Sequence, residues 1–324
     1  MTAAQARVTA LCGITLASPD PEGCAHLLTA GFGWERWIEG RIAPQLERQW
    51  GLARGAAGPR AVILRSPGSS RGMLRLVQGT TRRRSRRFAA RWAGVEMIVS
   101  RDLDALWEQV REFPGFDPRQ PPLTMDWSSF GSNMHRAFIG IGPGGTHLAL
   151  TMGLTQPVGR EFPRAAAQVG HVFELPLITS EFERSLGFYG EVLGMTPILS
   201  SSFDRGPWHA LWQLREPTPV RLDILKGDVP GTGLGGIELT GYSADLIDPE
   251  PAIADQFDGG TCLVSYTTPD IEAAFRAVAR DPRARVLSEP HLVEDAPYCG
   301  TRCFAFLGPD GERVELLATD WSAS

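Results

Sequence analysis

The chain has 324 residues, 43% hydrophobic and 21% charged, with a formal net charge of -5. That is enough chain for two domains, and its mild negative charge argues against nucleic acid as a main partner. No apolar run reaches the roughly 18 residues of a membrane span, MTAAQARVTALCG lacks a basic-then-apolar leader, and the five cysteines (12, 24, 262, 299, 303) are odd in number with no CxxC. A reduced, cytoplasmic chain away from membranes is the expectation.

Four segments repeat one order: apolar strand, acidic helix start, amphipathic helix, then strands. The helix-start acids are Asp20, Asp102, Glu181 and Asp270, spaced 82, 79 and 89 residues apart. An acid there caps the first turn and complements the helix dipole. The module ends repeat too. RAFIGIGPGGTHLAL (136–150) aligns without gaps to RCFAFLGPDGERVEL (302–316), each with a Gly-Pro-x-Gly turn between strands. Modules one and three end instead in MLRLVQG (73–79) and RLDILKG (221–227). Odd modules resemble odd ones and even resemble even, the mark of a duplicated pair.

Between the modules, TTRRRSRRFAAR (80–91) reads as a solvated basic connection. GLTQPVGREFPRAAAQ (153–168) has a linker's composition. Residues 228–260, with PGTGLGG, read as a long connection of the kind used for lids and binding loops.

The strongest stretch is QVGHVFELPLITSEFERSLGFYGEVLGM (168–195). His171 to Leu175 suit a strand. Ser180 or Glu181 caps a helix with Phe182, Leu186, Tyr189 and Val192–Leu193 on one stripe, and Gly194 stops it. This stretch resembles the opening of a module in the vicinal oxygen chelate superfamily, which includes glyoxalases, bleomycin-resistance proteins and extradiol dioxygenases. The matching residues are His171, Ser185-Leu186-Gly187-Phe188-Tyr189 and Leu193-Gly194-Met195. The resemblance implies an α+β fold of four βαβββ modules in two tandem pairs, each pair a curved mixed sheet around a pocket. The domains would be 1–153 (a scaffold with a degenerate site) and 169–324 (the active or binding site), with 154–168 as linker.

In such modules metal ligands come from first and last strands. A curved sheet aims several strands at one point, and a divalent ion needs three or four N/O ligands with one position open. Carried over residue by residue, the metal candidates are His171 (or Glu174 in its place), Asp223 and Glu315. Module four's first strand, Thr261 to Ser265, offers only Cys262. The first pair has Gly13 or Ile14, Arg75, Val95 or Glu96, and Ala149 at the matching positions, a poor metal set. RGPWHALWQL reads as a strand with Trp208 and Trp212 on one face and His209 on the other with Leu211. Catalytic candidates are His171, Glu315, His209 and Tyr298; substrate-binding candidates are Trp208, Trp212 and His291.

The implied function is a lyase, isomerase or ring-cleaving oxygenase dependent on a divalent metal (Fe, Mn, Zn or Ni), acting on a small aromatic or apolar metabolite. No nucleotide cofactor is expected, because the phosphate-binding motifs are missing from the sequence; a homo-oligomer is an open expectation. Two alternatives stay open: a metal-free small-molecule binding protein of the bleomycin-resistance type, and a metal-independent enzyme using a His base.

Overall fold

The computed structural model describes residues 7–50, 58–80, 90–143, 145–227, 236–243, 257 and 259–322. Module one runs β1 (Leu11–Ser18), α1 (Pro21–His26), β2 (Glu35–Arg41), α2 (Pro44–Gln49), β3 (Arg60–Arg65), β4 (Met73–Gln78). Module two runs β5 (Arg91–Trp92), β6 (Gly94–Val99), α3 (Leu103–Val110), β7 (Asp117–Pro118), β8 (Leu123–Asp126), β9 (Met134–Ile141), β10 (His147–Gly153). Module three runs β11 (Val169–Thr179), α4 (Phe182–Gly187), β12 (Thr196–Phe203), α5 (Pro207–Trp212), β13 (Val220–Lys226), β14 (Gly236–Tyr242). Module four runs β15 (Gly260–Thr267), α6 (Ile271–Arg280), β16 (Arg285–Val286), β17 (His291–Val293), β18 (Thr301–Leu307), β19 (Arg313–Leu317).

Local chemistry sets the helix ends. Asp20, Asp102 and Asp270 accept hydrogen bonds from the backbone N–H groups of Gly23 (2.8 Å), Ala105 (2.9 Å) and Ala273 (2.9 Å), as N-cap acids do. Glu181 makes no such bond. There Asp310, from module four, accepts from the Ser180 N–H at 3.0 Å and from Thr179 Oγ1 at 2.7 Å. Gly194 ends the module-three helical stretch at φ +70°, a left-handed position that suits glycine.

Four modules and two curved mixed sheets are present, but the sheets are not made by neighbours. One sheet has the order β16-β18-β19-β15-β1-β4-β3-β2, joining module four to module one. The other has the order β12-β13-β14-β11-β6-β10-β9-β7, joining module three to module two. This corrects the expected tandem pairs. In each sheet the two first strands lie side by side and antiparallel: Gly13 pairs with Ser265, and Glu174 with Glu96. Since β11 occupies the edge of β6, the edge of β1 is left for β15, the remaining first strand; an open strand edge must be covered.

One face of each sheet enters a common core with the module helices. Ile14, Val95, Leu175 and Tyr266 from the four first strands share it with Leu27, Leu103, Phe188 and Ile271. The other face of each sheet carries a separate cluster, one around Trp50, Tyr298 and Trp321, the other around Trp127, Trp208 and Trp212. These two faces hold the site positions.

Three further expectations change. Residues 236–242, read as part of a long connection, form β14, so module three ends there and not at 221–227. The rest of the 228–260 stretch and most of 80–91 lie largely outside the described residues. RGPWHALWQL forms helix α5, with Pro207 in its first turn; proline suits that place because its missing N–H needs no partner there. Helical i,i+4 spacing and strand alternation both put Trp208 and Trp212 on one face, so spacing alone did not separate them.

Candidate metal centre

Glu96 on β6, Glu174 on β11 and Glu238 on β14 converge on the free face of the second sheet. Each offers a carboxylate oxygen, and the three oxygens all lie within 4.8 Å of one another. The residues are buried, at 7%, 7% and 6% exposure. Strand register explains the meeting. Glu174 is directly opposite Glu96 in the antiparallel pair, and Glu238 is opposite Pro176 in the parallel pair. The fourth ring position, opposite Glu96 on β10, is Ala149.

Burial raises all three acids, since a carboxylate loses its hydration there. Glu96 is pushed up to about 7, chiefly by desolvation, against which the Thr151 hydroxyl hydrogen bond works. Glu174 and Glu238 are held well above the usual carboxylate range by burial and then by the charge of their neighbours. A hydrogen bond with Glu96 adds to the rise at Glu174. Oε1 of Glu238 is buried without a hydrogen-bond partner among the described residues. A group of this kind calls for a cation or protons.

The three carboxylates stand on the wall of a cavity with about 630 Å³ of atom-free space, open at its mouth. Its apolar walls include Trp127, Phe162, Trp208 and Trp212. Trp127 meets Trp208 edge-on with ring centres 6.2 Å apart, and Trp208 tilts against Trp212 at 5.8 Å. Phe162 comes from the segment read as a linker, so that segment closes the cavity as well as joining modules. His135 also lines it. Asn133 Oδ1 accepts from His135 Nδ1 at 3.1 Å, which leaves Nε2 with the lone pair. Burial lowers His135 to about 4, so the ring is neutral at neutral pH.

Of the residues selected from the sequence, Glu174, Trp208 and Trp212 meet here. His171 does not. A register shift between Val172 and Glu174 in β11, a β-bulge, aligns Glu174 with Glu96 and leaves His171 farther along the strand, in a different cavity. Asp223 lies between the cavity-lining Leu222 and Ile224, so its side chain takes the other face, 4.0 Å from Arg221. His209 is buried, and its Nε2 donates to the Thr218 carbonyl at 2.8 Å. His291 sits on β17 with Nδ1 donating to the Glu289 carbonyl at 3.0 Å.

Glu315 and Tyr298 belong to the first sheet, where the equivalent ring is filled from within. Glu315 accepts from Gln49 Nε2 (2.8 Å), Trp50 Nε1 (2.9 Å), Ser265 Oγ (2.8 Å) and Tyr298 OH (3.0 Å). Arg75 donates to Tyr298 OH at 2.9 Å. Its guanidinium lies over the rings of Trp50, Tyr298 and Trp321 at 5.1, 5.2 and 4.4 Å. At Gly13 an added Cβ would lie 2.3 Å from the Trp321 ring, so the C-terminal tryptophan takes the room a ligand side chain would need.

Residues 168–316 match the family model of the glyoxalase/bleomycin resistance protein/dioxygenase superfamily. The matched residues belong to this superfamily. The matched span covers modules three and four, which sit in different sheets. Glyoxalase I from Zea mays is similar in fold, with 16% identity, coverage of 95% of this chain and 92% of that one, and a TM-score of 0.63. A putative dioxygenase from Bacillus subtilis subsp. subtilis str. 168 is similar at 10% identity, 96% and 86% coverage and a TM-score of 0.61. No curated protein matches the chain in sequence. At these identities the likeness speaks for the superfamily fold alone.

Two of the three carboxylates were not selected from sequence. Glu96 was counted with a pair judged unsuited to metal, and Glu238 was read as connection. The missed signal is local: Val95-Glu96-Met97, Phe173-Glu174-Leu175 and Ile237-Glu238-Leu239 each set one acid between two apolar strand residues. In a two-faced sheet such an acid points away from the core its neighbours enter, as at Glu96 and Glu238, whose flanking residues all lie in the common core.

Proposed function

We propose that the chain is a divalent-metal-dependent enzyme of the vicinal oxygen chelate type, acting on a small, flat, largely apolar metabolite. The observation that carries the reading is the Glu96–Glu174–Glu238 group: three buried acids on one cavity wall, with Glu238 Oε1 lacking a partner among the described residues. The donor set fits such an ion. Three oxygen donors and no imidazole favour a hard ion, manganese ahead of zinc or nickel. Glu96, Glu174 and Glu238 would hold it, with Thr151 orienting Glu96. When bound, the ion supplies Lewis-acid polarisation of paired substrate oxygens.

The chain's own residues account for the rest. Trp127, Trp208 and Trp212 present apolar walls that take a flat ring and exclude water. Exclusion of water strengthens the electrostatic interactions made inside. His135, fixed by Asn133 and neutral, accepts a hydrogen bond or a proton at Nε2 from a substrate hydroxyl.

Metal content tests this directly. Freshly purified wild type should carry about one equivalent of manganese or iron, as should the Glu315→Gln variant, and Glu238→Gln should lose it. A protein that binds no metal after reconstitution would overturn the reading. Catechol, a flat ring with two adjacent oxygens, serves as ligand probe. Quenching of tryptophan fluorescence only when metal is present supports the enzyme reading. Equal quenching with and without metal would mark a metal-free binding protein, an outcome the aromatic cavity also fits.

A further inference from the structure

His171 lies in a second, polar cavity with about 630 Å³ of atom-free space, open to solvent. Three stretches distant in sequence build it, the middle one contributing twice. They are the β3–β4 turn with Ser66, Ser70 and Arg71, the inter-module segment with Arg164, His171 on β11, and Asp320 after β19. The turn is stitched onto the other sheet. Ser66 Oγ donates to the Val169 carbonyl at 3.0 Å, and the Val172 N–H donates to the Gly72 carbonyl at 3.1 Å. Gly72 is at φ +61°, and a Cβ there would stand 2.2 Å from the Val172 carbonyl oxygen. Only glycine lets the turn approach so closely. The cavity walls are therefore fixed by backbone contacts.

Its charges are unequal. Asp320 pairs with Arg71, with Nε and Nη2 at 2.9 and 2.8 Å from Oδ2. Arg164 also lines the cavity and is exposed, with no ion-pair partner among the described residues. His171 is 7% exposed, and its Nε2 is buried without a hydrogen-bond partner. A buried ring nitrogen without a partner is costly. The cavity is thus lined by one guanidinium without an ion-pair partner among the described residues, a second held in place by a carboxylate, the Ser70 hydroxyl and the His171 ring. These donors arrive from separate segments and not as one planar fork, which suits a tetrahedral oxyanion better than a flat carboxylate.

We infer that this cavity is a phosphate-binding site, for free phosphate or a phosphate ester, in which Arg71, Arg164 and the His171 imidazole contact the oxygens. Burial now lowers His171 to about 4; an anion beside it raises that value, since a nearby opposite charge favours the protonated ring. The inference does not depend on the three-carboxylate centre.

The test is a titration of the ¹⁵N-histidine-labelled full-length protein with sodium phosphate at constant ionic strength, following the His171 imidazole signals. We expect a saturable shift with a Kd in the millimolar range or below, and about tenfold weakening in Arg164→Ala with partial recovery in Arg164→Lys. Arg164 is exposed, so these variants should fold. The same shift in Glu238→Gln would confirm that phosphate is not acting at the carboxylate centre; its loss there would overturn the site. Phenyl phosphate as a second probe distinguishes the source: tighter binding indicates an ester, equal binding the free ion. A non-saturating shift, indifference to Arg164→Ala, or acetate binding as tightly as phosphate would each overturn the inference.

Discussion

The two sheets place equivalent positions at their centres and fill them in opposite ways. The second sheet has Glu174, Glu238, Glu96 and Ala149; the first has Gly13, Arg75, Ser265 and Glu315. Where β14 brings an acid, β4 brings a cation. The first centre therefore holds its own positive charge, sandwiched by three rings and joined through Tyr298 to Glu315. The second gathers three acids, and among the described residues no Lys or Arg lines its cavity. Helices α2 and α5 follow the same division, since each precedes the third strand of its module. α2 and the residue after it bring Gln49 and Trp50 onto Glu315; α5 brings Trp208 and Trp212 to a cavity wall. A duplicated frame can thus be spent on stability in one copy and left open for ligand in the other.

The largest effect should follow from removing the internal cation. Arg75→Ala leaves Glu315 buried without it, and should lose about 3–5 kcal/mol in urea unfolding. If it loses nothing, the first centre is not held by its charge and the contrast collapses. Next, Glu238→Gln should weaken manganese binding by at least about 100-fold, the upper end of what loss of a supporting group costs, read by competition with a fluorescent chelator. The same substitution should not destabilise the metal-free protein, because it relieves crowding of acids.

The pH dependence of the metal-free protein sharpens the comparison. Glu96 is raised to about 7 in the folded state, so the folded chain holds more protons than the unfolded one between about pH 4.5 and 7. Stability should fall as pH rises through that window. A loss of roughly 1–3 kcal/mol is expected, and added manganese should remove the slope. Urea titrations at pH 5 and 8, with and without metal, check both statements. The smallest effect is expected at Thr151, which donates to Glu96. Thr151→Val should weaken metal binding by about tenfold, with unfolding stability close to wild type.

Much of the fold was legible in the sequence because helix caps, glycine stops and strand turns are local. Asp20, Asp102 and Asp270 each acted within three residues of themselves. The ring positions were legible too: Gly13, Arg75, Glu96, Ala149, Glu174 and Glu315 all stood among the residues weighed. Which of them face one another was not, since strand pairing between distant modules leaves no local trace. Pairing neighbours set His171 beside Glu315 and parted Glu96 from Glu174. The resemblance put His171 first with Glu174 in its place, and only the register of β11 against β6 shows that Glu174 is the residue opposite Glu96. Glu238 was missed for another reason: a strand of seven residues sits inside a Gly- and Pro-rich stretch that reads as loop.

The exchange of partners between modules also sets an order of assembly. Leu11 pairs with Tyr266, near opposite ends of the described chain, whereas β6 and β11 are separated only by the rest of module two and a short segment. During synthesis the carboxylate-bearing sheet has all its strands before module four has left the ribosome. Module one must wait with β1 as a bare edge, a template for pairing with another chain. Contacts of such long sequence separation form slowly. The hazard in making this protein therefore lies with module one, which emerges well before the module four strand that covers it.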